Sequence, residues 1–343
     1  MAQPAEQPYG QPRAGESDAI RVRVPAKINL RLAVGPRGVD GYHRLDTVYQ
    51  AISLYDEVTA EPADELRLHI DGVGADTLPT DERNLAVQAA TVLADHLGVA
   101  PNVALRLHKR IPLAGGLAGG SADAAAVLVA CDALWHGGLT RDELAEVAGQ
   151  LGSDVPFLVV GGTALGTGRG ETVNPVLADG PWHWVVAVAD GGLSTPTVYA
   201  QLDMLRGTGA ASEPVPMVSP DIDVPDRADD LVAEPPSIAD EPESTDRLLA
   251  ALRSDDPTLL AAALGNDLQP AAIALRPALR RTLEAGLAAG ALAALVSGSG
   301  PTCLYLAADA DDAARIADEV IDRDVCLDAF VTHGPVAGAT VLP

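Results

Sequence analysis

The spacing of apolar residues changes several times along the chain, and each change predicts a different kind of element. Residues 20–24 alternate apolar and basic side chains, which is typical of a half-exposed strand, and residues 25–34 continue as a second strand-like run. Residues 102–109 alternate in the same way. Residues 84–97 instead repeat apolar side chains at helical spacing, and Gly98 supplies the stop that ends such a helix. The pattern therefore predicts a chain of mixed strands and helices.

The rest of the chain continues this mixture. Thr140 and Glu143 form a capping box, which predicts a helix over residues 141–150 that ends by Gly152. Other helices are predicted from periodicity at 248–252, 257–264, 279–289 and 310–322. Strands are predicted within 56–70, 161–171, 184–189 and 328–332, and on both sides of a glycine turn within 292–306. Residues 45–54 fit a strand or a short helix, and residues 193–199 fit a loop.

A glycine-rich stretch interrupts this regular pattern: residues 112–122 read PLAGGLAGGSA. Glycine tolerates positive φ and has no Cβ, so this loop can turn sharply and bring backbone N–H groups against a ligand. Ser121 is a good N-cap residue, and residues 124–131 are apolar on every face, which predicts a buried helix. A glycine loop that leads into a helix N-terminus favours an anion site. The alternative is a tight turn packed against a strand.

Three common motifs do not fit the glycine stretch. A P-loop requires lysine after the second glycine, and Ser121 stands there instead. The glycine spacing of a dinucleotide fingerprint is absent. A nucleophile elbow would need glycine where Asp123 stands. If the stretch binds phosphate, it therefore does so through a motif other than these three.

Composition and charge narrow the class of protein. The 343 residues have room for about two domains. No apolar run is long enough to span a bilayer, and residues 1–18 lack the order of a signal peptide, so we expect a cytoplasmic protein without a membrane partner. Three scattered cysteines indicate neither a disulfide framework nor a zinc site.

The net charge of −25 disfavours nucleic acid as a partner and requires local cations wherever an anionic ligand binds. Residues 207–246 are rich in proline, acidic residues and serine and have little periodicity, which predicts a disordered acidic insert. Residues 1–18 are predicted to be a disordered tail.

Four other residues are candidates for a site. Lys27 and Asn29 share one face of their predicted strand, and Lys27 has apolar neighbours, so it lies either in a cleft wall or in solvent like most surface lysines. Asp154 leads into an apolar run and is either a site residue or an Asx-type cap. Tyr42 in a glycine-flanked loop is a scarce aromatic in a chain with only 3% aromatic residues.

Three stretches resemble the signature motifs of the GHMP small-molecule kinases: PAKINL (25–30), PLAGGLAGGSADAA (112–125) and SGSGPT (297–302). Two further motifs in order, DGYHRLDTV (40–48) and GSDVPF (152–157), narrow the match within that superfamily. The resemblance covers roughly residues 22–205 and 247–335 and has no counterpart for the tail or the acidic insert. Within the superfamily, the motifs are most similar to the branch that phosphorylates the 2-hydroxyl of 4-diphosphocytidyl-2-C-methyl-D-erythritol in the non-mevalonate isoprenoid pathway.

The resemblance implies an α/β (α+β) fold of two domains with the active site in the cleft between them. The first, residues 20–168, would hold an ATP-binding β-α-β element of unusual left-handed connection. The second, residues 169–343, would be ferredoxin-like and carry the acidic insert. The substrates would be ATP, with Mg²⁺, and the cytidyl alcohol, bound by a monomer or homodimer.

The resemblance also assigns residues to roles. Asp154 would accept the proton of the substrate hydroxyl, and Lys27 would hold Asp154 ionised and offset charge on the transferred phosphoryl group. The residues that would bind ATP are Pro112, Leu113, Ala114, Gly115, Gly116, Leu117, Ala118, Gly119, Gly120, Ser121, Ala122, Lys109, Gly298, Ser299 and Gly300. Ser121 would also lie near Mg²⁺. The substrate-binding residues would be Asn29, Tyr42, His43, Tyr199 and Thr195.

Two alternatives remain open from the sequence. A sister kinase for mevalonate, homoserine or a sugar would share three of the motifs, although the GYH segment at 41–43 and the form of the glycine loop argue against it. A catalytically inactive ligand-binding relative is the other, and the presence of both Lys27 and Asp154 argues against that. Tyr199 stands where the family often has phenylalanine, so its stacking role is less firmly assigned than that of Tyr42.

Overall fold

The computed structural model describes residues 19–113, 115–208 and 241–343. The predicted tail, residues 209–240 of the predicted insert, and Ala114 lie outside the described residues. Two long antiparallel strands, β1 (Ile20–Arg37) and β2 (His43–Pro62), pair along most of their lengths. Residues 20–34 are thus one strand rather than the two predicted, because β-bulges at Pro25/Ala26 and between Asn29 and Arg31 absorb the break in alternation.

These strands are the centre of the first sheet. Its other described members are β3 (Arg67–Gly72), β4 (Val103–Lys109), β5 (Thr163–Gly168), β6 (Thr172–Pro175), β8 (Gly265–Asn266) and β12 (Thr340–Val341). The main path of the sheet runs in the order β12-β1-β2-β4-β3. The parallel pair β3–β4 is joined through α1 (Leu85–Leu97), which gives a β-α-β element. Asn84 caps α1 and Gly98 ends it with positive φ, as the sequence pattern predicts.

The helix after the glycine loop, α2 (Gly119–Leu134), lies in the core as predicted. It packs against β1 and β2 and is covered by α1, by α3 (Arg141–Ala148) and by α4 (Val155–Val160). This enclosure explains why the helix has no polar face. The capping box of α3 forms as predicted, but the helix ends at Ala148, before the predicted stop.

The second sheet contains β7 (Trp182–Val188), β9 (Ala293–Val296), β10 (Cys303–Ala307) and β11 (Asp328–Gly334). All its pairs are antiparallel, and the order is β11-β7-β10-β9. With helices between β7 and β9 and α10 (Ala310–Asp322) between β10 and β11, this is the β-α-β-β-α-β arrangement of a ferredoxin-like unit. The predicted fold class is therefore confirmed.

The remaining helices are α5 (Thr195–Thr208), α6 (Glu241–Ala251), α7 (Pro257–Ala261), α8 (Gln269–Leu275) and α9 (Ala278–Ala288). Residues 195–199 are helical rather than a loop, because α5 packs its apolar side against α8. The outermost residues of the predicted insert, 207–208 and 241–246, are also helical. Composition alone missed these helix ends, since their neighbours in sequence are proline-rich and acidic.

The two sheets do not divide the chain at residue 168. Strand β6 follows that residue but pairs with β5, and the late strands β8 and β12 pair with β1. The C-terminal part of the chain thus returns to the first sheet, beside the strand that carries Lys27. In the described part of the chain, no helix combines the length and apolarity that a bilayer span requires.

Candidate active site

A lysine and a carboxylate face each other where β1 passes the start of α4. Lys27 Nζ lies 3.6 Å from Asp154 Oδ2, and the two side chains are 7% and 29% exposed. Lys27 is therefore not a solvated surface lysine. Asp154 occupies the N-cap position of α4 but makes no capping hydrogen bond with its side chain, so the Asx-cap alternative is wrong. Its carboxylate remains available to the cleft.

A chain of hydrogen bonds fixes the Lys27 ammonium group. Lys27 Nζ donates to Asn29 Oδ1 at 2.9 Å, and Asn29 Nδ2 donates to Thr47 Oγ1 at 2.8 Å. Thr47 Oγ1 in turn donates to the Arg31 carbonyl at 2.7 Å. Lys27 and Asn29 can bond because alternate residues of a strand share a face. The chain orients the ammonium group before any ligand binds.

Tyr49 is a site residue that the sequence did not single out. It lies directly across from Asn29 in the β1–β2 pairing, and Lys27 Nζ lies 5.1 Å from the centroid of its ring. Burial, and then the neighbouring Asp154 carboxylate, raise the pKa of the Tyr49 hydroxyl well above its usual value. Tyr49 is therefore a neutral hydroxyl beside Asp154. Tyr49 is 20 positions from Asn29 in the sequence, so only the pairing of β1 with β2 shows that the two residues are neighbours.

The glycine loop is held between β1 and the turn at residues 297–300. The Lys27 N–H donates to the Leu117 carbonyl at 3.2 Å, and Ser297 Oγ donates to the Gly116 carbonyl at 3.1 Å. Gly116 has a φ of 74°, and a Cβ there would lie 2.1 Å from the Ser297 carbonyl oxygen. Only glycine fits this position, so the loop joins the two sheets through backbone contact.

Helix α2 begins at Gly119. An N-cap at Ser121 would have started the helix three residues later, at Ala122. Ala118 stands at the N-cap in the left-handed region, with φ 58°, and no side chain caps the helix. The prediction that Ser121 is the N-cap is therefore wrong, since the left-handed residue at 118 turns the chain into the helix earlier. Ser121 lies in the first turn instead, where uncapped N–H groups are free to bind an anion.

A cavity of about 450 Å³ adjoins the lysine–carboxylate pair. Lys27, Asn29, Tyr49 and Asp154 line it together with most of the residues predicted to bind ATP. The latter are Pro112, Leu113, Gly115, Gly116, Ala118, Gly119, Gly120, Ser121, Gly298, Ser299 and Gly300. Leu117 and Ala122 are buried and do not line it. The glycine loop is therefore a cavity wall and not merely a tight turn.

Lys109 lies beneath the glycine loop rather than in the cavity. Its fully enclosed ammonium group bonds Asp56 and, at 2.6 Å, Asp123, and it lies 3.3 Å from the Gly119 carbonyl. Asp56 also accepts from the N–H groups of Arg110, at 2.5 Å, and Ile111, at 2.8 Å. The prediction that Lys109 contacts ATP is contradicted by this enclosure, because the Lys109 side chain is 0% exposed and does not line the cavity. The residue anchors the two ends of the loop instead.

A second cavity of about 680 Å³ contains the predicted substrate-binding aromatics. Tyr42, His43, Tyr199 and Thr195 line it, whereas Asn29 lines the first cavity. His43 Nε2 lies 2.8 Å from Asp203 Oδ1, and the His43 ring lies 5.0 Å from the Tyr199 ring between centroids. Burial, with Asp154 nearby, raises the pKa of Tyr199 to about 12. Asp203 is a second residue that the sequence did not single out.

Thr195 joins the substrate side of the cleft to the third glycine turn. Its hydroxyl lies 2.9 Å from the Ser299 hydroxyl. The turn is also held by Asn266 Nδ2, which donates to the carbonyls of Val296 at 2.8 Å and Gly298 at 2.7 Å. Gly298 and Gly300 both have positive φ, so the turn bends tightly toward the glycine loop.

The oxygen donors of the first cavity have the chemistry that Mg²⁺ prefers. Ser121 offers a hydroxyl and Asp154 a carboxylate, and Mg²⁺ commonly binds one or two protein oxygens together with phosphate oxygens. Within residues 19–113, 115–208 and 241–343, no group of three or more His, Cys, Asp or Glu residues is placed to hold a metal ion. The Ser121 hydroxyl and the Asp154 carboxylate therefore fit a Mg²⁺ ion that is bound together with phosphate oxygens.

The chain is similar to known proteins of one family. The model of the GHMP kinases N terminal domain matches residues 84–162, and that of the GHMP kinases C terminal matches residues 248–324. The chain is 62% identical over 328 residues to the 4-diphosphocytidyl-2-C-methyl-D-erythritol kinase of Salinispora tropica, which covers 95% of this chain and 96% of that protein. The chain belongs to the 4-diphosphocytidyl-2-C-methyl-D-erythritol kinase family of the GHMP kinases.

Further comparisons distinguish proteins that share this chain's family from a protein that shares only its fold. The kinase of the same name from Mycolicibacterium gilvum is 53% identical over 95% of this chain and 93% of its own length. A crystal structure of 4-(cytidine 5'-diphospho)-2C-methyl-D-erythritol kinase matches with a TM-score of 0.68 and 32% identity, covering 92% and 99% of the two chains. Homoserine kinase from Cytophaga hutchinsonii reaches a TM-score of 0.70 at 20% identity, covering 98% of this chain and 100% of its own. The fold alone thus does not distinguish these substrates.

Proposed function

We propose that this protein transfers the γ-phosphoryl group of ATP to the 2-hydroxyl of 4-diphosphocytidyl-2-C-methyl-D-erythritol, as a step of the non-mevalonate isoprenoid pathway. The observation that carries the proposal is the Lys27–Asp154 pair, at 3.6 Å, which lines a cavity with the glycine loop on one side. A second cavity lined by aromatic residues adjoins it. One cavity suits a triphosphate and the other suits a nucleobase.

Asp154 is the base in this proposal. Its carboxylate is partly exposed to the cavity and has no capping bond to occupy it. It accepts the proton of the 2-hydroxyl as the oxygen attacks phosphorus, and the bond to ADP breaks on the opposite side. Lys27 stabilises the ionised form of Asp154 and the charge that develops on the transferred group. The Asn29–Thr47 chain keeps the ammonium group aimed at that point.

The glycine loop and the first turn of α2 hold the ATP phosphates. Uncapped N–H groups at a helix N-terminus favour a phosphate, but the contribution is only about 0.3–2 kcal/mol for an anionic group. In a chain of net charge −25, further positive charge is needed. Mg²⁺, when bound with ATP near Ser121, supplies charge neutralisation of the phosphate oxygens. Because Lys109 is enclosed, Lys27 is the lysine that serves this purpose.

The second cavity holds the cytosine. Tyr42 and Tyr199 offer aromatic surface for stacking, which does not discriminate between bases. His43 can read the base edge in the tautomer that donates from Nε2 to Asp203, because Nδ1 is then an acceptor. Cytosine has an exocyclic amine to donate to such an acceptor, and uracil has none. We therefore expect the preference for cytosine to depend on His43.

A single assay tests the proposal against its alternatives. The purified protein is incubated with ATP, Mg²⁺ and one alcohol at a time, and ADP release is measured. The alcohols are 4-diphosphocytidyl-2-C-methyl-D-erythritol, mevalonate, homoserine and galactose. We expect turnover with the first and a phosphomonoester at its 2-position by phosphorus NMR. Preferred turnover of another alcohol would identify a sister kinase, and absence of turnover with all four would indicate an inactive relative. Either result contradicts the proposal.

A further inference from the structure

The two cavities of the cleft are joined, and the residues at the junction are few. Leu45, Ser153, Arg169, Thr195 and Tyr199 line both of them. Of these five, Arg169 alone carries a charge. A substrate with its base in the second cavity and its reacting hydroxyl beside Asp154 must pass this junction, and the part that passes it is the diphosphate.

Arg169 is held in place but retains unused donors. Its guanidinium carbon lies 3.8 Å from the centroid of the Tyr42 ring, and Nη2 donates to Asp40 Oδ2 at 3.0 Å. Hydrogen bonds from the Tyr42 backbone and from Arg169 keep the pKa of the Asp40 carboxyl below its usual value. Among the described residues, Nε and Nη1 of Arg169 have no hydrogen-bond partner. A stacked guanidinium with free donors is well suited to bind phosphate oxygens.

The turn that carries Arg169 is built to lie close to the catalytic side. Gly168 and Gly170 flank the residue with φ values of 78° and 101°, in the β5–β6 hairpin. A Cβ at Gly170 would lie 2.3 Å from the Tyr49 hydroxyl oxygen. Glycine at 170 therefore allows the turn to pack on Tyr49, the neighbour of Asp154. This contact places a cation between the base pocket and the phosphoryl-transfer site.

The other charges around the second cavity make this cation necessary. Glu171 and Asp203 line the cavity as well, so a diphosphate would meet carboxylates there. Arg37 is the other arginine of the lining, and its Nε donates to the Gly41 carbonyl at 3.0 Å. It lines only the second cavity, whereas Arg169 lines both. Arg169 is thus the cation best placed to meet the diphosphate.

We propose that Arg169 is a specificity-determining residue that binds the diphosphate of the alcohol substrate and so sets the distance from base pocket to reacting hydroxyl. This inference rests on the proposed function. The contact is to the substrate and not to ATP, and the stacking on Tyr42 orients the guanidinium.

The test compares Arg169→Met with a matched control, Arg315→Met. The Arg315 side chain has the same 52% exposure as Arg169 and also pairs with an aspartate, Asp312, but it lies on α10 and lines neither cavity. For both variants and the wild type, kcat and the KM of each substrate are measured. Cytidine and cytidine diphosphate are then used as competitive inhibitors against the alcohol.

We expect Arg169→Met to raise the KM of the alcohol and the inhibition constant of cytidine diphosphate by about tenfold, the lower end for a hydrogen bond to a charged group. Cytidine inhibition, kcat and the KM of ATP should stay near the wild-type values, and Arg169→Lys should recover part of the loss. Arg315→Met should match the wild type throughout.

Several outcomes would overturn the inference. Equal weakening of cytidine and cytidine diphosphate would mean that Arg169 only supports Tyr42. A rise in the KM of ATP alone would assign it to the other substrate, and tighter cytidine binding would show that it covers the base position. An unchanged Arg169→Met enzyme would also contradict it. A wild-type protein that does not phosphorylate the alcohol would contradict the proposed function and, with it, the inference. A wild-type protein that phosphorylates the alcohol, with any of the Arg169→Met results above, would contradict the inference alone.

Discussion

Two lysine–carboxylate groups lie on either side of the glycine loop, and they differ in access rather than in chemistry. Lys27 faces Asp154 across 3.6 Å at the wall of a cavity, and Asp154 is 29% exposed. Lys109 lies beneath the loop with Asp56 and Asp123, where its side chain and that of Asp56 are 0% exposed. The first pair is loose and open, whereas the second group is tightly bonded and closed.

The difference shows how two similar ion pairs can serve different purposes. Lys27 and Asp154 can each bind a ligand in place of the other, because the ammonium and the carboxylate retain hydrogen-bonding capacity toward the cavity. A closed group has already committed its donors and acceptors, and breaking it leaves a charge without compensation in the interior. We therefore expect changes at Lys27 to affect chemistry and changes at Lys109 to affect stability.

The largest effect is expected from Lys27→Ala. Loss of the ammonium group removes the charge that holds Asp154 ionised and stabilises the transferred group. We expect turnover to fall by about 10²–10⁴-fold, the scale of a positioned catalytic group, with weaker ATP binding. Steady-state kinetics with both substrates measures this, and urea unfolding should show little loss of stability. A stable variant with near-normal turnover would contradict the assignment.

Lys109→Met should have the opposite profile. Removal of the buried cation leaves Asp56 and Asp123 without their partner, which typically costs about 3–5 kcal/mol. Urea denaturation should show that loss. At low temperature, turnover for each folded molecule should fall far less than in Lys27→Ala. If the variant instead kept its stability and lost turnover, Lys109 would belong to the catalytic group and the comparison would fail.

Removal of an aromatic ring should have a smaller effect, confined to one substrate. Tyr42→Ala and Tyr199→Ala each lose a stacking surface, worth about 1–3 kcal/mol for a base. The KM of the cytidyl alcohol should rise accordingly while the KM of ATP is unchanged, and Tyr199→Phe serves as the control that keeps the ring. An unchanged KM of the alcohol in both alanine variants would refute aromatic stacking of the cytosine.

The pH dependence of stability sharpens the comparison further. Burial raises the pKa of Asp123 to about 7, with Lys109 opposing the rise and Asp56 adding to it. A carboxyl whose pKa is higher in the folded state than its ordinary value of 3.8 binds more protons when folded. Its contribution to stability is therefore present at low pH and is lost as the pH rises toward 7.

Asp123→Asn removes this contribution. We expect the variant to become more stable relative to the wild type as the pH is raised from about 4 to 7, with no further change above that range. Urea unfolding of both proteins at matched pH values measures the difference. If the free energy of unfolding of Asp123→Asn instead fell relative to the wild type over this pH interval, the ion pair with Lys109 would outweigh the effect of burial on Asp123.

The contrast between Lys27 and Lys109 also shows what could not be predicted from the sequence alone. Helix α1, the buried helix α2 and the β-turn-β unit around Gly298 follow from periodicity and glycine position, since local pattern determines them. Lys27 and Lys109 both precede glycine-rich or apolar segments, and no local feature shows that one is open and the other enclosed. Enclosure depends on Asp56, which reaches Lys109 only through the pairing of β2 with β4.

The site residues divide in the same way. Lys27, Asp154 and the glycine loop stand in motifs that resemble a known family, so the sequence was sufficient to nominate them. Tyr49, Asp203 and Arg169 stand in no such motif and reach the cleft through strand register, the helix α5 and a glycine-flanked turn. At Ser121 the sequence predicted a role that the structure does not show. Ala118 adopts the left-handed conformation and starts the helix earlier, and its side chain gives no indication of this in the sequence.

Turnover of Asp154→Asn is the measurement that tests the account most directly. The amide keeps the size of the side chain and removes its basicity, so the variant should fold like the wild type. We predict a fall in turnover of about 10²–10⁴-fold, with a smaller loss of ATP affinity than in Lys27→Ala. Turnover within a few-fold of the wild type in a folded Asp154→Asn enzyme would contradict the assignment of Asp154 as the base.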